Sequence, residues 1–279
     1  MAAQLSSHRL SSIQVEQYAR DGFTGPVPVL TADEVRSFRD ELEVYERAAG
    51  KAIGFPEKSK PYLLFGWADA IVHHPKVLDA VEDLIGPDIL VYHTTLWTKE
   101  AQAAVFTLWH QDDAYFFLDP PEQVTAWVAL SDASELAGCM RMIAGSHRKG
   151  LVEHTEKPGG GNIIRRGRAI HDRFTDSDGT LVPLRPGEMS LHNTYTIHSS
   201  GANNSDDRRI GLGISYVPAH VRPKSEPRSS ALLVRGTDRY GHFHAETRLQ
   251  TPLSADARAA HKRAYDFYMK SAQIPEGSA

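Results

Sequence analysis

Apolar residues follow two textures along the chain, and the change falls near residue 87. Before it, apolar positions recur at helical spacing. Residues 15–20 form a short amphipathic piece, ended by Gly22 and followed by Pro26 and Pro28. Thr31 and Glu34 make a capping box, and Val35, Phe38, Leu42 and Tyr45 lie three or four apart behind it, which predicts a helix. Val77, Leu78, Val81 and Leu84 repeat that spacing until Gly86 and Pro87 stop it. After Pro87, short β-branched and aromatic runs alternate with turn residues, at 89–98, 104–109, 124–130, 139–143, 188–192, 195–199 and 209–217. Strands this short and this evenly punctuated predict a barrel or sandwich, not a βαβ sheet. Residues 255–269 return to helical spacing. The pattern predicts one domain over 1–279, mainly β with flanking helices. It divides into a helical N-terminal part at 13–86, a β core at 88–220 and a C-terminal helical segment at 254–272.

Composition narrows the class without naming the chemistry. With 279 residues, 41% hydrophobic and 24% charged, the chain can bury a sizeable core, which argues against disorder. A net charge of −4 gives no electrostatic reason to expect nucleic acid or an anionic membrane as partner. The single cysteine, Cys139, has no internal disulfide partner, the N-terminus lacks an apolar leader, and no apolar run reaches membrane-spanning length. These features predict a soluble protein of a reducing compartment, the cytoplasm. Cys139 lies in the apolar segment GCMRMI and reads as a buried thiol, and the sequon at Asn203 reads as a turn. The segment 157–168, KPGGGNIIRRGR, is an insertion with three successive glycines and the basic residues Arg165, Arg166 and Arg168. It is either a surface loop or a lid over an anionic substrate.

The sharpest local signal is His110-Gln111-Asp112, directly after the strand-like FTLW. In an extended chain, side chains two apart point the same way, so His110 and Asp112 can address one metal ion. With a second, distant imidazole they make the facial triad of non-haem iron(II) oxygenases, which leaves open positions for substrates. Alone, His-x-Asp carries little weight in a chain with 14 histidines. The second half adds the missing imidazole. His198 ends a strand, a polar turn follows, and a new strand begins at Arg209. A hairpin of this kind brings His198 beside an arginine whose fork suits the far carboxylate of a metal-chelating dicarboxylic acid.

Taken together, these motifs resemble the phytanoyl-CoA dioxygenase (PhyH-like) family of Fe(II)/2-oxoglutarate-dependent oxygenases. The family pattern His-x-Ser-x-x-Asn-x-Ser/Thr-x-x-x-Arg is met by His198, Ser200, Asn203, Ser205 and Arg209, and His-x-Asp by His110 and Asp112. Gly138 to His147 resembles the family's Gly-Cys-(Leu/Met)-x-x-Ile-Pro-Gly-Ser-His, departing at Ala144. The resemblance runs from about residue 15 to about residue 220. It implies a double-stranded β-helix (jelly-roll, cupin-like) core, with iron(II) held by His110, Asp112 and His198. It also implies 2-oxoglutarate as co-substrate beside O₂, its far carboxylate on Arg209. By the same resemblance Trp127 lies near the co-substrate, and Thr107 and Ser200 supply hydroxyls to its carboxylates. Asp112 stands where halogenating relatives have Gly or Ala, so hydroxylation of a small molecule is the expected outcome.

Rivals and alternatives stay in view. Asp113 is a rival ligand that alternation would turn away from His110, and Arg208 a rival anchor that reads as a solvated turn residue. His192 lies on the same strand face as His198 and reads as a core histidine or a neighbour of the site. His147 reads as a turn residue, and the pairs His73-His74 and His242/His244 lack a partner spacing for a metal. Tyr92, Trp97, Tyr115, Phe116 and an inward Arg141 are candidates for the substrate wall, with core packing as the other reading of the aromatics. Two other functions remain: a metal-dependent cupin-like enzyme that does not use 2-oxoglutarate, and a non-catalytic binding protein on the same fold.

Overall fold

A computed structural model describes residues 9–156, 161–163, 168–170, 173–224 and 226–271. The α-helices among the described residues are α1 (Ser12–Asp21), α2 (Ala32–Ala49), α3 (Gly66–Val72), α4 (Pro75–Ile85), α5 (Asp113–Phe116) and α6 (Ala255–Ser271). The strands are β1 (Phe23–Pro28), β2 (Ile89–Lys99), β3 (Thr107–His110), β4 (Leu118–Asp119), β5 (Val124–Ala129), β6 (Met140–Met142), β7 (Thr155–Glu156), β8 (Arg168–Ala169), β9 (Thr180–Val182), β10 (Glu188–Asn193), β11 (His198–Ser200), β12 (Arg209–Pro218), β13 (Arg222–Pro223), β14 (Ser230–Arg235) and β15 (His244–Ala245). Seven strands form one sheet in the order β1-β10-β5-β12-β2-β14-β15, and four form a second in the order β3-β11-β6-β9.

The N-terminal caps behave as their residues predict. Thr31 accepts from the Glu34 amide while Glu34 bonds back to Thr31, and Ser11 and Gln14 do the same for α1. The helical reading of 13–86 needs correction at one place. Residues 23–28 form strand β1, which pairs antiparallel with β10 because Phe23 and Val27 are drawn into the sheet edge. The large sheet also continues past residue 220 through β14 and β15.

Alternation gives the large sheet two faces. Val124, Ala126, Val128, Ile210, Leu212 and Ile214 point one way and are buried against Leu42, Trp67, Ile71, Val77 and Val81 of α2–α4. The other face carries Thr125, Trp127, Arg209 and Ser215 and looks toward the four-stranded sheet. There Trp127, Ala129, Met140, Met142 and Val182 pack into one apolar cluster between the two sheets. This face-to-face pair is the jelly-roll core, and the functional residues line the gap between its sheets. C-terminal residues are pinned on by a buried cluster: Lys60 Nζ contacts Glu246 Oε1 at 2.5 Å, and Tyr62 and Ser230 donate to the same carboxylate. No described helix is long and apolar enough to cross a membrane.

Candidate active site

His110 is the last residue of β3 and His198 the first of β11, and antiparallel pairing sets them directly opposite each other. Each ring is fixed through Nδ1. His110 Nδ1 donates to the Leu108 carbonyl at 2.8 Å, and His198 Nδ1 to the Thr196 carbonyl at 2.9 Å. That tautomer leaves each Nε2 lone pair free, as a metal ligand requires. Both Nε2 atoms face Asp112 Oδ1, at 3.9 Å from His110 and 3.8 Å from His198. Such gaps are too long for hydrogen bonds. They suit three donors that draw together by up to about 1 Å around an ion with bonds of about 2.1 Å. Among the described residues, His110, Asp112 and His198 are the one group of three ligand-bearing side chains within 4.8 Å of one another.

The His-x-Asp pair converges for a different reason than strand alternation. The strand ends at His110, and Asp112 has helical φ −63° and ψ −37° as the cap of α5. A strand-to-helix turn, not a continuing extended chain, swings the carboxylate back over the imidazole. Asp113 then falls inside α5 and is buried away from the triad.

Burial sets the protonation states. It lowers His110 to about 4, against a partial pull upward from Asp112, and drives His198 well below an ordinary imidazole. Burial pushes the Asp112 carboxyl upward, but the His192 hydrogen bond and the neighbouring imidazoles outweigh it and hold the group below the usual range. Two neutral imidazoles and one carboxylate therefore meet at one point.

Beside this point lies a small cavity of about 60 Å³, whose lining includes Thr107, Trp127, Ser200 and Arg209 as well as the triad. All seven positions marked by sequence thus come together. Thr107 and Ser200 are register partners on β3 and β11. Arg209 is buried, its Nη1 donates to the Gly138 carbonyl, its Nε has no partner among the described residues, and its guanidinium lies 5.3 Å from the Trp127 ring. Trp127 pairs with Gly213 across the sheet and lays its indole over Gly211, the next residue on that face, where a Cβ would come within 2.0 Å of the ring. A wider cleft of about 390 Å³ between α6 and residues 244–251 shares no residue with this site.

Sequence reading missed Lys99. It pairs with Arg209 across β2 and β12, is buried, and donates from Nζ to Ser200 Oγ at 2.8 Å and to the Gly201 carbonyl. Burial and the charge of Arg209 lower its amine to about 6, and burial lowers Arg209 to about 10. A strand-end lysine carries no local signal, because only register places it beside Arg209. His192, read as a core histidine or a neighbour of the site, reaches the site: its Nε2 lies 3.2 Å from Asp112 Oδ2.

Other readings change. Arg208 is not solvated but ion-paired with Glu46 and Glu100. Arg141 points outward to Asp176 and Glu135, because its strand neighbours Met140 and Met142 take the inner face. Tyr92 packs in a core with Phe116 and Phe243, whereas Tyr115 sits with its ring 6.2 Å from His110. Asn203 is a buried turn organiser whose amide donates to three backbone carbonyls. His147 contacts the Ala19 carbonyl. In the insertion, Arg165 and Arg166 lie outside the described residues; Arg168 bonds Ala114 O and Glu156.

Comparison with known proteins agrees with this geometry. The profile of the phytanoyl-CoA dioxygenase (PhyH) family matches residues 18–211. A probable alpha-ketoglutarate-dependent hypophosphite dioxygenase of Stutzerimonas stutzeri is 26% identical over 228 residues, 75% of this chain and 79% of the relative. The L-proline trans-4-hydroxylase of Streptomyces griseoviridis is 28% identical over 253 residues, covering 74% and 88%. Among solved structures, the non-heme monooxygenase ThoJ in its apo form superposes with a TM-score of 0.82 at 35% identity, covering 93% of this chain and 97% of that one. With the family profile spanning most of the chain, and both histidines, the aspartate and the arginine of its motifs gathered at one cavity, this protein belongs to the phytanoyl-CoA dioxygenase (PhyH) family.

Proposed function

We propose that this chain hydroxylates an unactivated C–H bond of a small molecule as an Fe(II)/2-oxoglutarate-dependent dioxygenase, with His110, Asp112 and His198 as metal ligands. The observation that carries the residue assignment is the meeting of two backbone-anchored, neutral imidazoles and one carboxylate oxygen. Beside them stand the buried guanidinium of Arg209 and the buried amine of Lys99, and among the described residues neither is ion-paired to a carboxylate. Iron(II) with 2-oxoglutarate and O₂ supplies the oxidising chemistry, one oxygen entering the substrate while the keto acid leaves as succinate and CO₂.

The protein's own part is placement. Arg209 and Lys99 anchor the far carboxylate of the keto acid, with Ser200 and Thr107 offering hydroxyls on the adjoining strands. Trp127 walls the co-substrate and keeps water from the guanidinium. A buried guanidinium and a buried amine with no carboxylate partner make little sense for an enzyme that takes no anionic co-substrate, so the cupin-like alternative is disfavoured.

Rows across the large sheet order the neighbours of the co-substrate. Lys99 and Arg209 make one row; Thr95, Gly213 and Trp127 the next but one; His93, Ser215, Thr125 and His192 lie beyond. The keto acid lies between the Thr125 row and the Lys99 end, against Trp127.

Purified protein given iron(II), ascorbate and 2-oxoglutarate should release succinate in step with a product one oxygen heavier than an added substrate. Absence of keto-acid turnover across a broad screen, in protein that does bind iron, would defeat the proposal.

A further inference from the structure

The two oxygens of Asp112 are treated differently by the fold. Oδ1 faces the two imidazole Nε2 atoms. Oδ2 accepts from Thr125 Oγ1 at 2.6 Å and from His192 Nε2 at 3.2 Å. Thr125 and His192 are register partners on β5 and β10, so one cross-strand pair holds the outer oxygen. His192 comes close enough to resemble a fourth ligand, its ring 4.6 Å from that of His198, yet its Nε2 is turned to Oδ2.

A hydroxyl has one proton. With that proton on Asp112, Thr125 Oγ1 can only accept from elsewhere. The side-chain amide of Gln123 lies 2.9 Å from Thr125 Oγ1 and donates to it. Its orientation is itself fixed, because the same nitrogen reaches Ser215 Oγ at 3.2 Å while Oε1 accepts from Thr194 Oγ1 at 3.3 Å. Gln123, Thr194 and Ser215 are buried, so no water competes for these bonds. The chain also closes on the metal motif, since the Asp113 amide donates to the Thr194 carbonyl.

We propose that Thr125 and His192 occupy the outer oxygen of Asp112 so that the carboxylate gives the metal one oxygen only. Gln123 is the positioning residue that sets the direction of the Thr125 proton. This rests on the metal reading above and adds a function to the residues behind it. Two imidazole nitrogens and a single carboxylate oxygen use half of an octahedron. A keto acid chelating through two atoms and O₂ need the remaining three positions. A carboxylate free to bind through both oxygens would take one of them and compete with the keto acid.

The test uses Co(II) as probe, titrated into the full chain while its visible absorption is followed, and then 2-oxoglutarate titrated into the loaded protein. Thr125→Val keeps the side-chain shape and removes the proton. It should leave Co(II) binding close to wild type, because the freed oxygen also ligates, but weaken 2-oxoglutarate about tenfold and change the Co(II) spectrum. Thr125→Ser should restore both. Gln123→Met should move them the same way as Thr125→Val, and it keeps the inference testable if that variant does not fold. Unchanged 2-oxoglutarate affinity and spectrum in both Thr125→Val and Gln123→Met would overturn this inference alone. A wild-type protein that takes up no Co(II) would overturn the metal reading and this inference with it.

Discussion

His110 and His198 face each other across the β3–β11 pair with ring centroids 4.0 Å apart, each ring tied by Nδ1 to the carbonyl two residues before it. The same i−2 carbonyl contact on both strands gives both imidazoles the same tautomer. A metal ion meets two preset lone pairs instead of two rotating rings.

The first prediction concerns pH. Burial holds His110 at about 4 and His198 well below an ordinary imidazole, so both are neutral and ready to ligate well below pH 7. A proton competes with metal only as the pH falls through those values. Co(II) or Ni(II) affinity should therefore stay nearly level from pH 8 to about pH 5 and drop beneath that. A loss centred near pH 6.5, the value of an ordinary exposed histidine, would contradict it. His198→Ala should abolish metal binding in the same titration.

Anchoring of the keto acid comes next. Arg209→Ala should raise the Kd for 2-oxoglutarate by roughly 10- to 100-fold, as expected for a lost charge-assisted contact, while metal affinity holds. Arg208→Ala should do the reverse. Its pairing with Glu46 and Glu100 is half-buried, so the cost should be roughly 2 kcal/mol of stability with 2-oxoglutarate affinity unchanged. Thermal unfolding and ligand titration on both variants separate the two arginines.

Lys99 makes that binding proton-linked. Its amine, lowered to about 6 by burial and Arg209, is mostly neutral at pH 7.5 before the keto acid arrives. A carboxylate beside it favours the ammonium and raises the value. Between about pH 6 and that raised value, binding takes up a proton and weakens as pH rises. Calorimetry in buffers of different ionisation heat should show this uptake in wild type and its loss in Lys99→Met.

Gly211 tests the packing of the indole. Added volume at this position meets the Trp127 ring at 2.0 Å, so the indole must shift. Gly211→Ala should cost about 1–3 kcal/mol of stability and weaken 2-oxoglutarate by displacing Trp127 from its place over Arg209. Full 2-oxoglutarate affinity in the folded variant would show that Trp127 does not shape the pocket.

Much of this was present in the order of residues. Capping pairs, the shift from helical to strand spacing near Pro87 and the ordered histidine, aspartate and arginine motifs are local, and local physics makes them readable. Those motifs marked the triad and Arg209, the family resemblance added Ser200, Thr107 and Trp127, and the fold gathers them. Tertiary structure alone decided what stands beside them. Lys99 and His192 join the site through cross-strand register, Arg141 leaves it because its neighbours take the inner face, and Tyr92 goes to the core. The physical reason is that periodicity tells a side chain which face it shares with its own strand. Which residue of another strand lies opposite is set by pairing across dozens of positions, and no spacing along one segment records it.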